Sequence, residues 1–174
     1  MKSKEDMWEE RLSELWQTLD DFTPEDFIER LDSLLAELPP QSPVALFERA
    51  SAYDSTGRPD LAIPLYQSAL DAGMSGIRRR RATIQMSSSL RNLGNVERAA
   101  ALLTAELNAP SDELDGAVRA FLALALADLG RDREALAISL TALSNYLPRY
   151  NRSLARYASE LVDPLEESPA KELK

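Results

Sequence analysis

GRPDLA at residues 57–62 is the first of three related stretches in this 174-residue chain, followed by GNVERA at 94–99 and GRDREA at 130–135. Each begins with glycine and carries alanine five residues later. The glycines lie 37 and 36 residues apart. A motif that returns at such an interval indicates repeats of one supersecondary unit.

The spacing inside each stretch is that of two helices joined by a tight turn. Glycine is suited to end the first helix, because a left-handed backbone costs it little. An acid two or three residues later (Asp60, Glu97 or Asp132) then lies near the positive end of the second helix. The closing alanine is expected where the two helices cross, since only a small side chain allows a close approach.

Apolar and small residues at helical spacing flank each stretch. Upstream they are Leu46, Ala50 and Tyr53, then Met86, Ser87 and Leu90, then Leu122, Ala123 and Leu126. Downstream they are Ala62, Tyr66, Ala69 and Leu70, then Ala99, Leu103 and Leu107, then Ala135, Ser139, Ala142 and Leu143. The pattern predicts three antiparallel helix pairs and no strand.

The stretches LFERA (46–50), SSLRNLG (88–94) and RAFLALALADLG (119–130) resemble short bacterial tetratricopeptide-repeat (TPR) proteins. A TPR unit has about 34 residues, so the linkers here run slightly long. The resemblance covers roughly residues 43–162. It implies an all-α, TPR-type α-α solenoid, with repeats at about 43–74, 77–109 and 114–147 and a C-terminal capping helix at 149–162.

An N-terminal helix pair is predicted at residues 5–38, ahead of the repeats. One face of the first helix, at about 5–20, carries Trp8 and Trp16, and Thr23-Pro24 is a helix start. The tryptophan stripe either packs on residues 24–38 as a cap or forms a dimer surface. Residues 1–162 are expected to form a single domain and 163–174 a flexible tail.

The inner face of the first helices is the usual ligand groove of TPR proteins. The resemblance implies a groove lined here by Phe47, Ser51, Asp54, Arg81, Ile84, Ser88, Arg91, Phe121 and Leu124. Some members hold a terminal carboxylate with Lys, Asn and Arg at set positions. Those positions here are Phe47, Ser51, Ala117 and Phe121, so that clamp is absent. A groove filled by the N-terminal helices or by a second copy is the alternative.

The run Arg78-Arg79-Arg80-Arg81 is a concentrated positive charge at the start of a predicted helix. It either marks a site for an acidic partner or is a solvated turn whose side chains point to different faces and pair with local acids.

Composition excludes several classes of site. The chain has no cysteine and no histidine, which excludes disulfides, thiolate nucleophiles, Ser–His–Asp triads and histidine metal sites. Adjacent carboxylates such as Glu9-Glu10 do not face each other on a helix, so they form no catalytic dyad. No catalytic residue, cofactor or metal is predicted, and the chain is expected not to be an enzyme.

Charge and hydropathy bear on partners and location. Residues 1–38 hold 12 acids and 4 bases, most of the net charge of −9, which disfavours nucleic acid. No signal core or membrane-length apolar run is visible, so a cytoplasmic location and no membrane partner are expected.

Two functions stay open at this point. The first is an interaction scaffold that binds a peptide or protein, with acidic residues among its contacts, in the groove. The second is a homo-oligomerisation module that uses the acidic N-terminal helices. The chain is expected to be a monomer or a homodimer.

Overall fold

The computed structural model describes residues 2–162, and every regular element in that range is a helix. The helices are α1 (Lys4–Gln17), α2 (Pro24–Leu35), α3 (Pro43–Ser55), α4 (Pro59–Asp71), α5 (Gly76–Asn92), α6 (Val96–Glu106), α7 (Asp115–Asp128), α8 (Asp132–Ser144) and α9 (Asn151–Ser159), with a 3-10 turn at Leu19–Asp21. No strand occurs in the described range, so the predicted all-α class is confirmed. The predicted tail at 163–174 lies outside the described residues. No helix between residues 2 and 162 is long and apolar enough to cross a membrane.

The three repeat glycines end helices, as predicted. Gly57, Gly94 and Gly130 have φ angles of 78°, 81° and 71°, in the left-handed region that glycine tolerates best. After Gly57, the N–H of Arg58 donates to the Tyr53 carbonyl at 2.8 Å and closes the helix end. The repeated motif is therefore a helix–turn–helix signal.

The N-terminal helices begin near the predicted positions. Thr23 caps α2, because its Oγ1 accepts a hydrogen bond from the Asp26 N–H at 3.2 Å. The first helix ends at Gln17, before the predicted residue 20. There the Thr18 hydroxyl donates to the Leu15 carbonyl at 2.7 Å, and the chain tightens into the 3-10 turn.

The chain divides into two compact units, which we call the N-terminal unit (1–93) and the C-terminal unit (94–174). In the N-terminal unit, α1 and α2 share a core with α3. Its buried residues are Trp8, Leu12, Phe27, Leu31, Leu34, Leu35, Ala45 and Ala52. The Trp8 indole N–H donates to the Leu34 carbonyl at 3.2 Å, and the Trp16 and Phe27 rings lie 5.1 Å apart. The tryptophan stripe therefore packs inward, as the cap interpretation predicted.

Small residues lie where α3 and α4 cross in the N-terminal unit. Ala50, Ala62 and Ala69 are fully buried, and so is Tyr66. The next helix, α5, packs against both α4 and α3. The alanine that closes the first glycine stretch thus occupies the close crossing predicted for it.

In the C-terminal unit, α7 packs against α6 and α8, and α8 packs against α9. Ala99 and Ala135, the other two closing alanines, are also buried. The predicted capping helix is present as α9, and its Ala158 is buried. It follows Tyr150, whose φ of 66° turns the chain just before the helix.

The capping helix α9 covers only one side of the α7–α8 pair. On that side α9 borders a cleft that also includes Leu107 of α6 and Ile138 of α8. On the other side, Leu124, Leu136 and Leu143 remain 47–49% exposed.

Candidate functional site

Arg81 extends from α5 into solvent, and its guanidinium stacks on the ring of Phe47 in α3. The guanidinium carbon lies 5.2 Å from the ring centroid. Phe47 is fully buried and packs against Tyr66, with ring centroids 6.1 Å apart, so it is a fixed support. Within residues 2–162 no ion pair forms at Arg81. Its donors are oriented by the aromatic face and remain available.

A hydrogen-bond network lies beside Arg81, between α3, α4 and α5. The Ser51 hydroxyl donates to Gln85 Oε1 at 3.4 Å, and the Ser89 hydroxyl donates to Asp54 Oδ1 at 2.7 Å. The Tyr66 hydroxyl lies 3.4 Å from both Ser51 Oγ and Asp54 Oδ2. The network fixes the three helices at this face.

Burial changes the acidity of two members of this network. It raises the pKa of the Asp54 carboxyl above its usual 3.8, while the hydrogen bonds from Ser89 and Tyr66 act in the opposite direction. Burial also raises the pKa of the Tyr66 phenol, so this hydroxyl stays protonated and remains a donor.

A second polar group, the Arg78 cluster, consists of Glu9, Trp16, Glu48 and Arg78. The Arg78 guanidinium binds both Glu9 oxygens at 2.6 and 2.8 Å and Glu48 Oε1 at 3.0 Å. The Trp16 indole N–H donates to Glu48 Oε2 at 2.9 Å. Glu48 is only 2% exposed, so its carboxylate depends on these partners. The cluster joins α1, α3 and α5.

The Arg78 cluster was not predicted. Its acids lie 30 and 69 positions from Arg78 in the chain, so no local spacing connects them. The one feature of the sequence that could have indicated the cluster is Glu48, an acid among the apolar residues of α3. The hydrogen bonds that Arg78 donates to Glu9 are the main reason that the pKa of Arg78 is raised, and the residue stays charged.

The arginine run is neither a turn nor uniformly solvated. All four residues belong to α5. Arg78 is partly buried in its cluster, Arg80 is 3% exposed, and Arg81 is exposed. The solvated turn is therefore wrong, because all four residues are helical. The same interpretation also predicted that the side chains point to different faces and that some pair with acids, and the structure confirms both points.

The predicted groove residues fall into three groups. Phe47, Ser51 and Ile84 are buried, at 0%, 1% and 5% exposure. Those of intermediate exposure are Asp54, Ser88, Arg91 and Phe121, and the exposed ones are Arg81 and Leu124. Phe47 and Ser51 were expected to present surface to a ligand, but both are buried, because α5 stacks on this side of α3. In the N-terminal unit the structure brings Phe47, Ser51, Asp54 and Arg81 to one face.

The C-terminal unit carries the other two predicted groove residues on α7. Phe121 is partly buried and Leu124 is 47% exposed. Leu124 lines a shallow cleft of about 500 Å³ between α7 and α8, together with Leu136 and small residues. This surface offers apolar contact.

The surface of α3 and α5 in the N-terminal unit offers hydroxyl, amide and guanidinium groups, and the surface of α7 and α8 in the C-terminal unit offers aliphatic groups. Among residues 2–162, no group of three or more acids is arranged to hold a metal ion.

Comparison with known proteins identifies the repeat. The family model described as "Tetratrico peptide repeat" matches residues 43–161, more than half of the chain. No curated protein and no solved structure matches the chain. The matched range contains the three glycine stretches and the helices on either side of them. The chain therefore belongs to the tetratricopeptide-repeat family, whose repeats are protein–protein interaction modules.

Proposed function

We propose that the chain is a scaffold whose N-terminal unit binds a segment of a partner protein over α3 and α5. The segment carries acidic residues next to apolar ones. The observation that supports this most directly is Arg81, an exposed guanidinium held on the Phe47 ring without an ion pair among the described residues. Such a group is suited to bind a carboxylate with two parallel hydrogen bonds.

Neighbouring side chains extend this surface along α5. Arg81, Gln85 and Ser88 follow one another at intervals of four and three residues, so they share one side of the helix. Gln85 and Ser88 are partly exposed. A row of guanidinium, amide and hydroxyl groups can bind the backbone and acidic side chains of a bound segment.

The other predicted groove residues of this unit have a supporting role in the proposal. Phe47 and Ser51 lie beneath the surface and hold Arg81 and Gln85 in place. Arg78 is neutralised by Glu9 and Glu48, whereas the Arg81 side chain is exposed. Specificity then comes from the charged contact of Arg81 with the segment.

The N-terminal helices give less support to self-association. Trp8 is buried and Trp16 packs on Phe27, so the stripe is used within the chain. The N-terminal helices instead expose many acids, and two such surfaces would repel each other.

Selection from a displayed peptide library tests the proposal. We expect selected peptides to combine Asp or Glu with apolar residues. Arg81→Glu should weaken binding of a selected peptide by about tenfold or more, because attraction becomes repulsion. Arg81→Lys should give an intermediate loss, since lysine keeps the charge but not the fork. Arg152→Glu is the matched control, an exposed arginine on α9.

Two results would contradict the proposal. One is equal binding of the selected peptides to the parent chain and to Arg81→Glu. The other is an equal loss with Arg152→Glu, which would indicate an effect of total charge. Circular dichroism of each variant shows that the helical fold is retained.

A further inference from the structure

We infer that the open side of α7 and α8 binds the same surface of a second copy of this chain. We call this surface the end face. Its members are Ala120, Leu124, Ala127, Leu136, Ser139 and Leu143. They lie at helical spacing on the two antiparallel helices of the last pair.

The end face is apolar and exposed. Leu124, Leu136 and Leu143 are 47%, 49% and 49% exposed. Leu124 and Leu136 border the cleft of about 500 Å³ described above. Three half-exposed leucines on one surface form a patch, and such patches mark interaction sites more often than isolated exposed residues do.

The first repeat shows what covers this surface elsewhere in the chain. Positions in the first and last repeats can be matched by their distance from the closing alanines, Ala62 and Ala135. Phe47 then corresponds to Ala120, Ser51 to Leu124 and Asp54 to Ala127. In the first repeat α5 covers these positions, through Arg81 on Phe47, Gln85 with Ser51 and Ser89 with Asp54. In the last repeat Leu124 is exposed at the same position where Ser51 is 1% exposed.

The chemistry of the two surfaces differs. Polar Ser51, Asp54 and Tyr66 of the first repeat are replaced by Leu124, Ala127 and Ser139. A helix like α5, with Gln85 and Ser89 on its contact side, would bury its polar groups without partners there. The end face therefore requires an apolar partner surface.

The end face combines large and small side chains. Leu124, Leu136 and Leu143 are exposed, and Ala120, Ala127 and Ser139 lie three or four residues from one of them on the same helix. A two-fold rotation places the leucines of one copy over the small residues of the other, as in the packing of ridges into grooves. Asp132 is the charged residue among those that line the cleft, so little charge opposes the contact. Two such helix pairs would form a four-helix layer.

Other occupants fit less well. The segment 163–174 (DPLEESPAKELK) has two prolines and four acids and few apolar side chains. The capping helix α9 is already engaged on another side of α8. A second copy of the chain carries the apolar surface that the end face requires, and it is present at the same concentration as the first copy.

Sedimentation equilibrium of the full chain over a range of concentrations tests the inference. We expect the mass to rise from that of one 19.3 kDa chain to twice that value. Leu136→Glu should weaken this association by about tenfold or more, because it places a carboxylate in an apolar contact. Met7→Glu is the matched control: Met7 is 48% exposed on α1, nearly as much as Leu136, and should leave the association unchanged.

A cross-linking measurement guards against misfolding of the glutamate variant. The chain has no cysteine, so Leu124→Cys introduces one thiol per chain at the centre of the end face. A bifunctional thiol-reactive cross-linker, which spans the gap between two nearby thiols, should link two copies through this cysteine and not through a cysteine at Met7.

Three results would overturn the inference. The first is a parent chain that stays monomeric at all concentrations, which would assign the end face to another protein or to residues 163–174. The second is association that persists in Leu136→Glu. The third is association lost in Met7→Glu alone, which would place the interface on the N-terminal helices.

Discussion

Single residues of the chain set how closely its helices approach. Ala62 has no exposed surface where α3 and α4 meet, beside the buried Tyr66. The interior around it is close-packed, so extra methyl groups must displace neighbouring side chains.

The substitution Ala62→Leu should lower the free energy of unfolding by about 1–3 kcal/mol through overpacking. Ala101→Leu is the matched control, because Ala101 is exposed in the middle of α6 and tolerates the same added volume. Urea denaturation followed by circular dichroism measures both. Equal stability of the two variants would show that Ala62 does not lie at a tight crossing.

A second residue-scale prediction concerns the pKa of Asp54, which burial raises. The folded chain therefore keeps a proton on Asp54 at pH values where the unfolded chain has lost it. The contribution of this group to stability is complete below its usual pKa of 3.8 and is lost as pH rises through the raised value. Asp54→Asn removes this dependence and can still accept the hydrogen bond from Ser89.

The measurement is the difference in unfolding free energy between Asp54→Asn and the parent chain at a series of pH values. We expect the variant to gain relative stability as pH rises from about 3.8 towards neutrality. A difference that is constant with pH would mean that folding leaves the pKa of Asp54 where it was.

At the scale of elements, polar groups attach the N-terminal helices to the repeats. Arg78 of α5 holds Glu9 of α1 and Glu48 of α3, and Glu48 also accepts from Trp16. Glu48 is buried and Arg78 is partly buried. Removal of the charge of Glu48 therefore leaves Arg78 with one carboxylate partner, Glu9, in place of two.

Glu48→Gln should therefore destabilise the chain by about 2–4 kcal/mol. Glu9→Gln should cost less, since Glu9 is 39% exposed and water can replace it. A double-mutant cycle with Arg78→Gln isolates the coupling between Glu48 and Arg78. Thermal unfolding and tryptophan fluorescence, to which Trp8 and Trp16 both contribute, report the loss of stability. Additive effects in the cycle would show that the two residues do not interact.

The elements were more predictable from sequence than the site. Local signals, such as Gly57 with Ala62 or Thr23 with Pro24, act through neighbours in the chain and appear in the pattern of residues. The Arg78 cluster depends on residues 9, 48 and 78, which only the packed helices bring together. The burial of Phe47 and Ser51 likewise depends on how α5 lies on α3, which periodicity does not specify.

At the scale of the whole molecule, the absence of histidine and cysteine leaves no ordinary side chain to titrate near neutrality. The net charge of −9 is then nearly constant there, apart from the terminal amine. Surface electrostatics, including the attraction of Arg81, should not change with pH in this range.

We expect the melting temperature and the affinity for a selected peptide to stay level between about pH 6.5 and 8.5. Scanning fluorimetry and titration at constant ionic strength measure them, with two buffers at each pH as the control. A steep slope in either quantity would reveal a carboxyl group that titrates near neutrality.

The end face also bears on how chains of this kind can change in length. A fourth repeat added after α8 would have to pack on the end face, whose positions correspond to those that α5 covers on the first repeat. Its first helix would need alanine and leucine at the positions of Gln85 and Ser89, because the receiving surface lacks their polar partners. Duplication of the second repeat would therefore not extend the chain without further substitutions, whereas the first helix of the third repeat already carries Phe121 and Ala125 at those positions.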